Sequence, residues 1–181
     1  MKINYLALKA IYLHEMDRFR RTLTQSLLSP VLTTSLYFIV FGSVIGGYVE
    51  KIDGISYGSY IVPGLLMLTL LTQSISNTSF GIFFPKFNGT IYEILAAPIS
   101  TFEVVLAFVG AGATKTLIVS IIIFFTSLFF VDVQVKYPFL MIFLLILVAF
   151  TFALFGFLIG LISSDFEQMS IIPTLFITPM V

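Results

Sequence analysis

The chain has 181 residues, of which 59% are hydrophobic and 10% charged, with a mean hydropathy of +1.10. Soluble domains carry roughly a quarter charged residues, so this composition places the chain in a lipid bilayer. Zero net charge argues against a nucleic-acid partner, and the absence of Cys excludes a disulfide framework and any thiolate metal site.

From the amino end, residues 1–26 mix Ile3, Leu6, Ile11, Tyr12 and Phe19 with Lys2, Lys9, Glu15, Asp17, Arg18, Arg20 and Arg21. No short apolar core leads into a small-residue cleavage site, so this is not a signal peptide. The pattern predicts a helix lying in the membrane surface, apolar side down. His14, the one His of the chain, reads as a solvated surface residue. The first span is expected over residues 27–48, which supply the roughly twenty apolar residues a crossing needs. Pro30 falls in its first turn, where a missing amide costs little. Gly42 and Gly46 form a G-x-x-x-G step suited to close helix approach.

A short loop with Glu50, Lys51, Asp53 and Gly54 leads to a second span at 57–80. Pro63-Gly64 should kink or unwind it. Thr69, Gln73 and Asn77 recur every fourth residue and share a face. Amides in hydrocarbon need partners, so these residues are either interhelical hydrogen-bond glue or part of a substrate path.

Residues 84–100, FPKFNGTIYEILAAPIS, form a polar island between apolar stretches. Thr90 and Glu93 have capping-box spacing. Gly89 permits a sharp turn before them, and Pro98 ends a helix of about two turns at Ala97. The island reads either as a rigid peg on which another protein pushes or as an ordinary interfacial turn.

The third span is expected at 104–131, with Lys115 its only ionised residue. Thr116 to Val131 makes about 24 Å of helix, a little short of the hydrocarbon thickness. Lys115 should then lie near the inner interface and extend its ammonium toward headgroups. A fourth span at 138–162 repeats the glycine step at Gly156 and Gly160. After the polar turn 163–168, residues 169–181 start a fifth apolar stretch, too short to cross, and the chain is expected to be a fragment or truncated. Tyr48, Tyr57, Tyr60 and Tyr137 stand at span ends as aromatic anchors. The fold class expected is thus an all-α membrane protein: an amphipathic interface helix, four complete transmembrane helices and the start of a fifth.

With alternating spans, Lys2, Lys9, Arg18, Arg20, Arg21 and Lys86 share one side and only Lys51 and Lys136 the other. The positive-inside rule puts the amino end and the polar island in the cytoplasm. No catalytic or metal motif is present. Gly110 to Thr116 (GAGATKT) imitates a phosphate loop, but lacks the Gly before the Lys and follows no strand. Energy for uphill transport is expected from another chain or from an ion gradient, and the absence of paired carboxylates inside the spans weighs against the gradient.

Asn88 to Pro98 resembles the coupling segment of ABC-2 type exporter permeases, roughly G-T-x-x-x-L-L-x-x-P. Further matches follow in order: Arg18-Phe19-Arg20-Arg21, Tyr37-Phe38 with Phe41-Gly42, Tyr60-Ile61-Val62-Pro63-Gly64, and Phe166-Glu167-Gln168 with Ile172-Pro173. The resemblance covers essentially the whole chain as one transmembrane domain, 1–181. It implies the permease subunit of an exporter in the inner membrane, working with a second permease copy (homodimer or heterodimer) and two cytosolic ATPase subunits that bind ATP and Mg. This chain itself would hold no cofactor and catalyse nothing. Lys86, Asn88, Gly89, Thr90, Glu93, Leu95 and Pro98 would form the coupling segment. Arg18, Arg20 and Arg21 would hold the interface helix to anionic lipid and the ATPase. Substrates across the family include drugs, polysaccharides and lipid-linked molecules. A gradient-driven carrier or channel, or a structural assembly factor, are the alternative readings. The family's closing hairpin and sixth span find no match in the sequence.

Overall fold

A computed structural model describes residues 4–41, 51–52, 54–133 and 135–177. Gly42, Gly46 and Tyr48 lie outside these. The described residues form helices α1 (Tyr5–Arg21), α2 (Leu23–Ile39), α3 (Tyr57–Phe87), α4 (Ile91–Ala96), α5 (Thr101–Ser127), α6 (Pro138–Ile162) and α7 (Phe166–Ile177). A two-stranded antiparallel hairpin, β1 (Lys51–Ile52) and β2 (Ile55–Ser56), precedes α3 and pairs Lys51 with Ser56.

Three helices are long and apolar enough to cross a bilayer: α3 with 31 residues, α5 with 27 and α6 with 25. The expected first span is represented by α2, whose 17 helical residues fall short of that length; the last part of that span, residues 42–48, lies outside the described residues. α6 carries no charge and exposes Phe139, Phe143, Leu147, Leu154 and Leu158 on its outer side, as a lipid-facing helix does.

The bundle is built around α3. Ala149, Ala153, Gly156 and Gly160 make a small-residue stripe on α6, and α3 lies against it so closely that a Cβ on Gly156 would meet the Ile75 backbone at 2.5 Å. A Cβ on Gly160 would strike the Ser79 backbone. Ser74 Oγ donates to the Ala149 carbonyl across the same interface at 2.6 Å. The inner core joins Leu70 and Ile82 of α3, Val104, Phe108 and Val109 of α5, and Phe157 of α6. A second cluster joins Phe19, Phe38, Val62, Leu66, Val119 and Ile123.

Several details differ from the expectations. α3 runs as one helix through Pro63, which in the second turn forgoes one backbone hydrogen bond. It also continues past Phe80 to Phe87, because Ile82 and Phe83 are buried in the bundle. α1 packs along α5. Its contacts with α5 advance together, from Asn4 with Glu103 through Tyr12 with Thr114 to Glu15 with Lys115, so the two helices run side by side. Finally α7 begins at Phe166, inside the expected polar turn, with the Gln168 side chain accepting from the Ser164 amide at 3.0 Å.

Candidate functional site

The segment between α3 and α5 is an elbow carrying α4. α3 ends at Phe87, the Asn88 amide donates to the Phe84 carbonyl at 3.0 Å, and Gly89 turns the chain with a φ of +80°. That conformation disfavours any Cβ, although a Cβ added at Gly89 would meet no atom beyond its chain neighbours within 4 Å. α4 then makes less than two turns before Ala97 goes extended ahead of Pro98. Ile91, Ile94 and Ile99 pack inward on the core. Tyr92 and Leu95, three residues apart, stand 73% and 67% exposed on the outer side.

The Thr90–Glu93 capping box does not form. Thr90 is helical in φ and ψ and its hydroxyl donates back to the Pro85 carbonyl at 3.4 Å. The box sits one element later. The Ser100 hydroxyl accepts from the Glu103 amide at 3.3 Å, and the Glu103 carboxylate accepts from the Ser100 amide at 2.8 Å. Ser100 has the extended backbone that a cap requires and Thr90 does not. Glu103 Oε1 also accepts from the Asn4 amide at 2.6 Å, while Asn4 Nδ2 donates to the Pro98 carbonyl at 3.3 Å. The start of α1 is thereby tied to both flanks of the elbow.

Lys86 does not point away from the bundle. From the last turn of α3 its ammonium donates to the carbonyls of Leu161 at 2.7 Å and Ser163 at 2.8 Å. It satisfies orphan acceptors at the end of α6. Beside it Phe166 meets Phe83 and Phe87 edge-on, with centroids 4.9 and 4.8 Å apart.

Lys115 is 2% exposed and does not reach toward headgroups: its ammonium donates to Glu15 Oε2 at 2.7 Å. Arg18 shares that oxygen at 2.8 Å and lies over the Phe80 ring, 5.6 Å from its centroid. Arg18 is therefore a partner within the fold, unlike Arg20 and Arg21, which are exposed. The buried carboxylate escapes sequence reading because Glu15 sits among the charges of α1. The signal for it was Lys115, a lone cation in an apolar run that requires a counter-charge.

The polar face of α3 satisfies itself largely along its own helix. Thr69 Oγ1 donates to the Leu65 carbonyl at 2.9 Å and Asn77 Nδ2 to Gln73 Oε1 at 3.4 Å. Thr69 and Gln73, with Thr72, line a groove of about 260 Å3 facing Thr33, Thr34 and Tyr37 of α2; Asn77 is not on its wall. Among the described residues no group of acidic or His side chains is arranged to hold a metal ion.

Long apolar helices, a bare lipid-facing side and an exposed short helix at one end of the bundle define a multi-pass membrane protein. Residues 7–181 match the ABC-2 type transporter family. The chain is 38% identical over 180 residues to the inner membrane transport permease YadH of Escherichia coli K12, a match covering 99% of this chain and 70% of the relative. YadH of Escherichia coli O157:H7 and of Shigella flexneri match to the same extent. No solved structure matches. The chain belongs to the ABC-2 type transporter family.

Proposed function

We propose that this protein is the permease subunit of an ATP-binding cassette exporter of the inner membrane. A separate cytosolic ATPase, present in two copies, binds ATP and Mg and drives a permease pair. The amino end and α4 face the cytoplasm, a reading supported by the excess of Lys and Arg on that side. Arg20 and Arg21 meet anionic headgroups, and the groove beside Thr69 and Gln73 lines part of the substrate path. The observation that carries this reading is α4 itself: an outward apolar pair, Tyr92 and Leu95, on a helix anchored inward by Ile91 and Ile94. An exposed apolar pair on a rigid mount is suited to a partner's pocket.

The test uses the permease with its ATPase in nanodiscs. Gly89→Val forces a β-branched residue into φ +80° without any clash to confuse the result. Gly89→Asn adds a side chain that tolerates this conformation. Substrate-stimulated ATP hydrolysis should fall in the Val variant and survive in the Asn variant, with both inserting normally. Equal stimulation in both, or solute flux in vesicles that lack any ATPase, refutes the proposal. A cysteine at Tyr92 in this Cys-free chain gives the orientation: labelling only from the outer face would overturn it.

A further inference from the structure

The ion pair joining α1 to α5 plays no part in presenting α4. Glu15 and Lys115 are each 2% exposed, and Glu15 Oε1 is buried with no hydrogen-bond partner among the described residues. α3 closes the third wall at Gly81, where a Cβ would come within 3.3 Å of Glu15 Oε2. Nearby, Tyr12 donates from its hydroxyl to Thr114 Oγ1 at 3.0 Å. Buried ion pairs are weak sources of net stability, because desolvation offsets most of their attraction, but separating the two partners is costly, since it leaves a buried charge uncompensated. Sliding α1 along α5, or lifting it away, would leave Lys115 unpaired in a site closed to water. α1 also leads directly into α2, with Thr22 alone between the two helices. α2 in turn forms the wall of the groove opposite Thr69, Thr72 and Gln73.

We propose that Glu15 and Lys115 are positioning residues that make α1 and α5 a single rigid lever, through which displacement of α4 is carried into α2 and changes the width of the α2–α3 groove. The inference rests on α4 being the point where the ATPase pushes. It adds the route by which the push reaches the groove: α4 to α5, α5 to α1 through the ion pair, and α1 to α2 through Thr22.

The experiment is pulsed electron resonance on the permease–ATPase complex in nanodiscs, labelled copies being diluted with unlabelled ones so that distances within one chain are read. One label pair, at His14 and Phe102, spans α1 and α5. The other, at Leu36 and Tyr60, spans α2 and α3. All four positions are exposed. In the unaltered pair the α1–α5 distance should stay fixed between the resting and nucleotide-trapped states while the α2–α3 distance changes. With Glu15→Gln or Lys115→Met, the α1–α5 distribution should broaden and the α2–α3 change should vanish. Stimulated hydrolysis should then drop by about tenfold or more with basal hydrolysis and assembly retained, which a purely structural contact would not produce. The swap of Glu15→Lys with Lys115→Glu, made together with Arg18→Gln because Arg18 also pairs with Glu15 at 2.8 Å, should restore both distances, and it decides the matter if the single variants fail to assemble. Failure of the swap to restore them overturns the joint. So does a single-charge variant that keeps the α2–α3 change, or an α1–α5 distance that shifts with nucleotide in the unaltered pair. If neither distance responds to nucleotide in the unaltered pair, the coupling reading fails with it.

Discussion

At the α4 end, charged and amide groups tie several elements together. Asn4 reaches Glu103 and Pro98, and Lys86 holds the last carbonyls of α6. At the hairpin end the described ties are lighter. Ser59 Oγ donates to the Asp132 carbonyl at 2.9 Å, and Phe38 stacks on Phe130 with centroids 5.7 Å apart. Charged hydrogen bonds are directional and costly to leave unmade, whereas apolar contacts slide at small cost. A force applied at α4 therefore moves the ends of α1, α3, α5 and α6 together. Among the described residues the hairpin end carries fewer such ties, the asymmetry that the proposed lever would use.

The strongest way to break this comparison is to attack the axis shared by both ends. Gly160→Val would drive a branched side chain into the Ser79 backbone and Ile82, and neither the α3 backbone nor the packed α6 stripe can yield. A loss of about 3 kcal/mol is expected, read as a lowered SDS-unfolding midpoint. A near-neutral result would mean that α3 and α6 are not held backbone to backbone.

Next in size is Lys86→Ala, which removes a charged donor from two carbonyls. Because Lys86 is exposed, the cost should be about 1.5 kcal/mol, the low end for charged hydrogen bonds. Hydrogen exchange at the end of α6 should rise, while exchange near Ser59 stays unchanged. Increased exchange at both ends would show the two are not independent.

The sequence made the membrane class, the boundaries of α6, the α4 helix and the glycine turn before it legible, because these depend on local patterns: apolar run length, Gly, Pro and helix-breaking spacing. What it hid depends on partners far along the chain. Lys86 finds α6, Asn4 finds Glu103, and Lys115 finds Glu15 across 100 positions. The capping box shows the same division in miniature. Thr90-x-x-Glu93 and Ser100-x-x-Glu103 both have the spacing, yet only Ser100 takes an extended backbone, since the chain is already turning at Gly89 when it reaches Thr90. Ser100→Ala should accordingly cost about 1 kcal/mol, and Thr90→Ala no more than about 0.5 kcal/mol. The same unfolding midpoint measures both, and reversed magnitudes would return the box to the elbow.

The smallest effect is expected where the ties are lightest. Ser59 donates to the Asp132 carbonyl and its hydroxyl also lies 2.8 Å from Ser56 Oγ. Ser59→Ala removes both contacts at an exposed site, where water replaces them. Ser56 Oγ still accepts from the amide of residue 59, so the start of α3 keeps its cap. The cost should be about 0.5 kcal/mol, with α3–α6 packing unaltered and the unfolding midpoint barely moved. A loss matching that of Lys86→Ala would mean the hairpin end is clamped as firmly as the α4 end, and a push at α4 would then shift the bundle as a block without spreading its helices.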